Sequence, residues 1–178
     1  MKQLIVLDLD ETLIHATQDI IDNYDFRIQD FYVKKRPHLE KFLHYCNDNF
    51  EIGIWTSSTE NYAQAIIENI LPEIITPIFI WSRERCTIDT NKDTEEREYI
   101  KDLKKVKKLG FSLDNIVAVD DSPEKLKRQY GNLIRIKPFY DDLNDQELHK
   151  LTLFLPNILN TKDIRKLEKR NWRNKVIK

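Results

Sequence analysis

The chain has 178 residues, with 29 lysines and arginines against 30 aspartates and glutamates and a formal net charge of -1 at pH 7. This length is sufficient for one domain with a real core, and the even balance of charge excludes a global field that attracts nucleic acid or acidic membranes. No apolar stretch is long enough to span a membrane, and two cysteines without C-x-x-C spacing exclude a disulfide framework and a zinc site. Such cysteine usage is typical of a reducing compartment, so we expect a cytoplasmic protein, or a nuclear one in a eukaryotic cell.

The first predicted element is a buried strand over residues 4–7, Leu-Ile-Val-Leu. Because these apolar residues do not alternate with polar ones, we expect both faces of the strand to be buried, as in a parallel sheet. Asp8, Asp10 and Thr12 follow at the carboxyl end of the strand, where ligands bind in open α/β sheets. Residues two apart on an extended chain point to the same side, so both carboxylates can face one ligand. The D-x-D pattern alone is equally compatible with an acidic loop in which Asp10 caps a helix.

The rest of the chain alternates between strand and helix patterns. In chain order, the predicted elements are short strands within residues 14–35 that form a flap over the site, a helix over 37–48, a strand over 50–55, a helix from 60 that ends before Pro72, a strand over 74–81, a helix over 99–109, a strand over 115–119, a helix from 123, a strand over 133–136, and helices near 145–154 and 161–170. This order is typical of a parallel sheet with helices on both faces. We therefore predict a three-layer, Rossmann-like α/β fold.

Two segments stand outside this alternation in the single domain predicted for residues 1–178. Residues 72–98 contain a short insertion, which is densely charged from Ser82 to Glu98 and too small to be a large cap. Residues 161–178 form a basic C-terminal helix and tail around Trp172. A local basic and aromatic patch can contact RNA, although a solvated helix with a frayed end is the commoner outcome. Nucleic acid is therefore a minor candidate partner.

Polar residues follow three of the predicted buried strands. They are Asp8 and Asp10, Thr56 and Ser57, and Asp120 and Asp121. In a parallel sheet these strand ends share one edge, where four carboxylates would repel each other strongly. A hard cation with oxygen ligands relieves that repulsion, and Mg²⁺ suits such ligands. The alternative for Asp120 and Asp121 is an acidic helix start that complements the helix dipole.

Lys101 differs from the other lysines between residues 101 and 108. Those later in the predicted helix suit the helix dipole and solvent, whereas a cation near the helix start is mildly unfavourable. Its presence there indicates an anion opposite, such as a phosphate group. A solvated lysine on a charged surface explains the position equally well.

Five sequence blocks resemble the haloacid dehalogenase superfamily and, within it, the phosphatases of the RNA polymerase carboxy-terminal domain, the small C-terminal-domain and NLI-interacting-factor family. In order, the blocks are VLDLDETLIH, VKKRPHLEKFL, IWTSSTENYAQ, YIKDLKKV and VAVDDSPEK. The similarity spans nearly the whole chain. It implies the haloacid dehalogenase fold, with a small insertion and no large cap.

The resemblance also implies roles for the acidic residues. Asp8 is expected to be the nucleophile that forms an aspartyl-phosphate. Asp10 is expected to protonate the leaving oxygen and then to take a proton from the attacking water. Asp8, the carbonyl of Asp10, and Asp121 are expected to bind Mg²⁺, with Asp120 as a ligand or as its neighbour. The resemblance does not decide whether Asp120 or Asp121 is the direct ligand.

The remaining expected roles concern the phosphate group. Thr12 is expected to orient the loop at the substrate. Thr56, Ser57 and Lys101 are expected to hold the phosphoryl oxygens, and Thr56 and Lys101 to stabilise the charge spread over them in the transition state.

The predicted function is therefore hydrolysis of phosphomonoesters with Mg²⁺ as cofactor. A small insertion leaves the cleft open, and an open cleft suits a phosphate carried on a macromolecule. We expect a protein serine/threonine phosphatase, with a phosphorylated protein or peptide as partner and no membrane. The alternatives are a phosphatase of small-molecule or nucleic-acid phosphomonoesters, and a binding module with weak catalysis.

Overall fold

The computed structural model describes residues 2–90 and 95–176. Its strands are β1 (Leu4–Leu7), β2 (Ile14–Thr17), β3 (Phe26–Ile28), β4 (Phe31–Lys35), β5 (Glu51–Trp55), β6 (Phe79–Trp81), β7 (Thr87–Thr90), β8 (Arg97–Ile100), β9 (Ile116–Asp120) and β10 (Leu133–Arg135). Its α-helices are α1 (Leu39–Asn49), α2 (Glu60–Ile70), α3 (Glu147–Phe154) and α4 (Pro156–Leu159). Short 3₁₀ segments occupy Arg83–Arg85, Leu103–Leu109, Leu113–Asn115, Pro123–Leu126, Tyr130–Asn132, Ile164–Lys166 and Trp172–Lys175.

Five strands form one parallel sheet in the order β10-β9-β1-β5-β6. The central strand, β1, is buried along its whole length. Its side chains alternate between two cores, because neighbouring residues of a strand point to opposite faces. Ile5 and Leu7 pack in the core that the α-helices cover, whereas Leu4 and Val6 pack in the core on the other face. The predicted α/β class with a buried parallel sheet is confirmed.

The second face of the sheet is covered by 3₁₀ segments, so the helix predicted over 99–109 is wrong in type. Arg97–Ile100 form a strand, and Leu103–Leu109 form a 3₁₀ helix whose Leu103 and Val106 are buried. These two residues and Leu109 recur every third position, which is the period of a 3₁₀ helix rather than of an α-helix. The start is fixed by the side chain of Asp102, which accepts a hydrogen bond from the amide of Lys104.

Two further helix predictions are wrong. The helix predicted from 123 is the four-residue 3₁₀ segment Pro123–Leu126. The helix predicted over 161–170 is reduced to the 3₁₀ turn Ile164–Lys166. The reason lies in Trp172, which is fully buried, packs against Phe154 and donates from Nε1 to the carbonyl of Arg135 at 2.9 Å. This anchor folds the tail back onto the domain and removes its aromatic ring from the surface.

Two small antiparallel sheets flank the carboxyl edge of the central sheet. Strands β2, β4 and β3 form one of them, where short strands were expected. Strands β7 and β8 form the other, and residues 91–94 between them lie outside the described residues. The strand predicted over 74–81 is confined to Phe79–Trp81, and it belongs to the central sheet. The insertion predicted over 72–98 therefore begins only after Trp81.

Among the described residues, no helix combines the length and the apolar content that crossing a bilayer requires.

Candidate active site

The carboxyl ends of β1, β5 and β9 bring three predicted site residues to one edge of the sheet. Asp8 follows β1, Thr56 follows β5, and Asp120 is the last residue of β9. Because β1 pairs with both β5 and β9, these ends are neighbours, and the amide of Asp8 donates to the carbonyl of Val119 at 3.1 Å. Asp8, Thr56 and Asp120 are all buried. Their position is set by sheet pairing, not by loops.

Lys101 is the buried cation at this edge. Its side chain is 2% exposed, and Nζ donates to Oδ1 of Asp8 and to Oδ2 of Asp120, each at 2.6 Å. Burial opposes the ionisation of Asp8, but the charges of Lys101 and Lys125 outweigh it and lower the pKa of Asp8. Burial, followed by the negative charge of Asp8, raises the pKa of Asp120 to about 6. Lys101 and Lys125 therefore favour the charged form of Asp8, whereas burial and the charge of Asp8 oppose the charge on Asp120.

A second lysine reaches Asp8 from the other side. Lys125 lies on the 3₁₀ segment that follows β9, and its Nζ is 3.6 Å from Oδ2 of Asp8. The hydroxyl of Thr12 donates to the same oxygen at 3.2 Å. Burial opposes the charge on Lys125, yet the carboxylates of Asp8 and Asp120 outweigh it and raise its pKa. Each oxygen of Asp8 thus faces its own lysine.

The carboxylate of Asp10 contacts three hydroxyl groups. Tyr62 donates to Oδ1 at 2.6 Å, and Ser58 and Thr56 donate to Oδ2 at 2.8 and 3.4 Å. These hydrogen bonds fix the orientation of the carboxylate. Burial and then the charge of Asp10 raise the pKa of Tyr62, which keeps the phenol protonated and able to donate. Asp10 therefore occupies a polar, half-buried position that suits proton transfer.

Three carboxylates next to each other can hold a metal ion. Asp8, Asp120 and Asp121 each offer one oxygen, and these oxygens lie within 4.8 Å of one another. Among the described residues, the carboxylate of Asp10 does not belong to this cluster. Burial, followed by the negative charge of Asp8, raises the pKa of Asp121. An all-oxygen group of this kind, under such repulsion, fits a hard divalent cation such as Mg²⁺.

A cleft of about 470 Å³ leads to Asp10 and Lys125. Its lining includes Ser57, Ser58, Tyr62 and Arg83 from the central domain, and Ala16, Gln29 and Phe31 from the small β2-β4-β3 sheet. Ser57 contributes its carbonyl, which accepts from Nε of Arg83 at 2.7 Å. A second cleft, of about 260 Å³, lies under the C-terminal tail near Arg165, and its lining does not include Asp8, Thr56 or Asp120. The cleft at Asp10 is therefore the one that adjoins the acidic cluster.

Comparison with known proteins identifies the family. Residues 3–165 match the model of the NLI interacting factor-like phosphatases. The chain belongs to this family. The predicted family and phosphatase class are thus confirmed, and the fold of an NLI interacting factor-like phosphatase accounts for the shared strand edge.

Two curated relatives are longer than this chain. CTD small phosphatase-like protein 2 of Dictyostelium discoideum is 35% identical over 173 residues, which cover 92% of this chain and 29% of that protein. The human carboxy-terminal domain RNA polymerase II polypeptide A small phosphatase 1 is 29% identical over 172 residues, with 92% and 62% covered. The chain spans less than two thirds of the length of either relative.

A solved structure supports the fold independently. Fission yeast RNA polymerase II CTD phosphatase Fcp1-R271A, bound to beryllium fluoride, superposes with a TM-score of 0.62 at 17% identity. The match covers 98% of this chain and 61% of that one. At this identity the likeness shows the shared haloacid dehalogenase fold.

Arg36 holds the loop after β1 in place. Its guanidinium is almost fully buried, and its Nη1 donates to the carbonyl of Thr12 at 3.0 Å. Its Nη2 donates to the carbonyl of Lys137 at 2.8 Å, and Nε and Nη2 bind the carboxylate of Asp145 at 2.9 and 2.8 Å. One side chain thus joins the loop after β1 to two segments more than a hundred residues away.

We expect Arg36→Met to lower the free energy of unfolding by about 3–5 kcal/mol, since it leaves carbonyls and a carboxylate without their donor. Urea titration measures this. Arg128→Met, which breaks the exposed pair with Asp102, is the matched control and should change stability by less than about 1 kcal/mol. Similar losses in the two variants would contradict the proposed anchoring by Arg36.

The pH dependence of the same variant follows from Asp145. Burial opposes its ionisation, but the hydrogen bonds from Arg36 outweigh it and lower the pKa of Asp145 from 3.8. A pKa that is lower in the folded state stabilises the protein above the unfolded value, and this contribution is lost as pH falls through the folded value. The stability difference between wild type and Arg36→Met should therefore shrink below about pH 4.

Sequence reasoning missed several residues of the site. Ser58, Tyr62 and Lys125 are not among the predicted site residues, although Tyr62 lies in the helix predicted from 60 and Lys125 in the helix predicted from 123. The sequence does contain a signal for Lys125. A cation in the first turn of the helix predicted from 123 is unfavourable for the helix dipole, as is Lys101 near the start of its predicted helix.

Proposed function

We propose that this domain hydrolyses phosphomonoesters through an aspartyl-phosphate on Asp8, with Mg²⁺ as cofactor. The observation that carries the proposal is the position of Asp8. Its charged carboxylate is buried between Lys101 and Lys125, next to Asp120 and Asp121, and the cleft beside it holds a separately oriented Asp10. A nucleophile, a proton donor and fixed cations are thus within one site, as phosphoryl transfer requires.

In the first step, an oxygen of Asp8 attacks phosphorus, and the bond from phosphorus to the ester oxygen breaks. Asp10 donates a proton to the departing oxygen, so that the alcohol leaves neutral. In the second step, water attacks the phosphoryl group while Asp10 takes a proton from it. The bond between phosphorus and Asp8 then breaks, and inorganic phosphate is released with Asp8 and Asp10 restored.

The remaining polar residues hold the reacting group. Lys101 donates to Asp8 and is placed to contact a phosphoryl oxygen there, and Thr12 orients Asp8 through its hydroxyl. Thr56 is buried with its hydroxyl on Asp10, Ser57 lines the cleft, and in this proposal both offer polar groups to the phosphate. Fixed donors of this kind favour the transition state because charge spreads over the phosphoryl oxygens.

The metal ligands would be Asp8, the carbonyl of Asp10, and Asp120 or Asp121. The crowding of three carboxylates within 4.8 Å supports this assignment, since an ion relieves their repulsion. When bound, Mg²⁺ would neutralise charge between the nucleophile and an anionic substrate.

We propose a phosphorylated protein as substrate, with phosphoserine or phosphothreonine as the group that enters the cleft. The open cleft beside Asp10 supports this, as do the names of the relatives, which are CTD phosphatases. Both cysteines are free and buried, which supports a reducing compartment, the cytoplasm or the nucleus of a eukaryotic cell. Phosphatases of sugar phosphates or of nucleotide ends use the same chemistry and are distinguished by experiment.

The test compares initial rates on three substrates under matched conditions with Mg²⁺: a phosphoserine peptide, a sugar phosphate and an oligonucleotide with a terminal phosphate. We expect the highest kcat/KM on the peptide. Chelation of the metal should abolish turnover on all three, and added Mg²⁺ should restore it. A preference for the sugar phosphate or the oligonucleotide would overturn the proposed substrate class, and full activity in chelator would overturn the metal requirement.

A further inference from the structure

Lys125 lies beside Asp8, and the steps proposed above give it no contact with the substrate. It lies on the 3₁₀ segment Pro123–Leu126 and faces Oδ2 of Asp8 at 3.6 Å, whereas Lys101 binds Oδ1 at 2.6 Å. The two lysines differ in access. The side chain of Lys101 is 2% exposed, but that of Lys125 is 21% exposed and lines the cleft together with Asp10.

The backbone of Lys125 is fixed, so its ammonium group is held at the site. Its carbonyl accepts from the amide of Lys101 at 2.7 Å, and its amide donates to the carbonyl of Ser122 at 3.2 Å. The next residue, Leu126, is buried in the core. The segment that carries one lysine is thus fastened to the segment that carries the other.

The contact between Lys125 and Asp8 is an ion pair at 3.6 Å, longer than a charge-assisted hydrogen bond of about 2.7–2.9 Å. Lys101, by contrast, already shares its donors between Asp8 and Asp120. A phosphoryl group that approaches Asp8 from the cleft passes Asp10 and comes within reach of Lys125. The ammonium can then exchange a long contact with a carboxylate for a short one with a phosphate oxygen.

We propose that Lys125 is a second phosphate-binding cation, which binds the substrate phosphoryl group directly and opposes the binding of Mg²⁺ at the neighbouring acids. This inference rests on the proposed function and adds a residue to it. The second half follows from geometry, because a fixed positive charge 3.6 Å from Asp8 repels a cation held by Asp8, Asp120 and Asp121.

Loss of Lys125 should weaken the binding of phosphate and strengthen the binding of Mg²⁺, whereas a simple loss of structure would weaken both. In Lys125→Gln, we expect the Kd for inorganic phosphate, measured at saturating Mg²⁺, to rise about tenfold. In the same variant, we expect Mg²⁺ alone to bind several-fold more tightly to the metal-free protein. Lys125→Arg, which retains the charge, should stay close to wild type in the Mg²⁺ titration.

Isothermal titration calorimetry with Mg²⁺, and then with inorganic phosphate, measures both constants without any turnover. Lys104→Gln, which removes an exposed lysine of the 3₁₀ segment Leu103–Leu109, is the control and should change neither constant. Unchanged phosphate affinity in Lys125→Gln, or weaker binding of both ions, would overturn the inference. If wild type binds both ions but hydrolyses no phosphomonoester, the proposed function fails while the titrations still decide the role of Lys125.

Discussion

If Asp8 forms an aspartyl-phosphate, Asp8→Asn should lower the rate of phosphate release by roughly 10⁴-fold or more. Removal of the nucleophile has effects of this size in comparable covalent enzymes. The amide keeps the shape of the carboxylate and still offers Oδ1 to Lys101, which also retains Asp120 as a partner. We therefore expect the variant to fold. The measurement is the rate of phosphate release from a phosphoserine peptide with Mg²⁺.

The covalent step can be observed directly. When wild type is mixed with substrate and quenched in acid, mass spectrometry should find one phosphoryl group on the peptide that contains Asp8, and none in Asp8→Asn. Asp114→Asn is a matched control, because it makes the same change at an exposed carboxylate that pairs with Arg165, and it should retain wild-type turnover. Comparable turnover in Asp8→Asn would exclude the mechanism.

The second large effect is expected for Asp10→Asn, and its size should depend on the leaving group. Loss of a general acid lowers the rate by roughly 10²–10⁴-fold when the departing alkoxide needs a proton, as with a phosphoserine peptide. A nitrophenyl phosphate releases a stable phenolate that needs none, so its first step should be nearly unaffected. The three hydroxyls that contact Asp10 can each accept as well as donate, so the amide fits the same position.

The same variant should also be slow in the second step, because no base activates the attacking water. With a nitrophenyl phosphate, Asp10→Asn should therefore give a burst of about one nitrophenolate per active site, followed by a slow phase. Stopped-flow absorbance measures the burst. Equal losses on the peptide and on the nitrophenyl ester would show that Asp10 does not act as the acid.

The central sheet could be predicted because the relevant information is local. Largely apolar runs that end in acids or hydroxyls identify β1, β5 and β9, and parallel pairing then places their ends together. Asp8, Thr56 and Asp120 are brought to one edge for this reason. The resemblance to the phosphatase family, which the comparisons confirm, gave the chemical roles that remain predictions here.

The remaining features depend on contacts between distant segments. The helix predicted over 99–109 is wrong because Arg97–Ile100 pair with β7 as a strand, and only Leu103–Leu109, with a spacing of three, remain helical. The tail was predicted as a helix because nothing in its sequence shows that Trp172 fills a gap beside Phe154. The contacts of Arg36 and Tyr62 likewise join residues tens of positions apart.

The attachment of Asp8 to the middle strand of the sheet has a consequence for how such domains diversify. The amide of Asp8 donates to the carbonyl of Val119 inside the sheet, whereas part of the cleft wall comes from the peripheral sheet of β2, β3 and β4. Insertions and substitutions in that wall can reshape what enters the cleft without moving the reactive oxygen. The scaffold therefore separates reactivity from selectivity, and new substrates can be acquired while the chemistry is preserved.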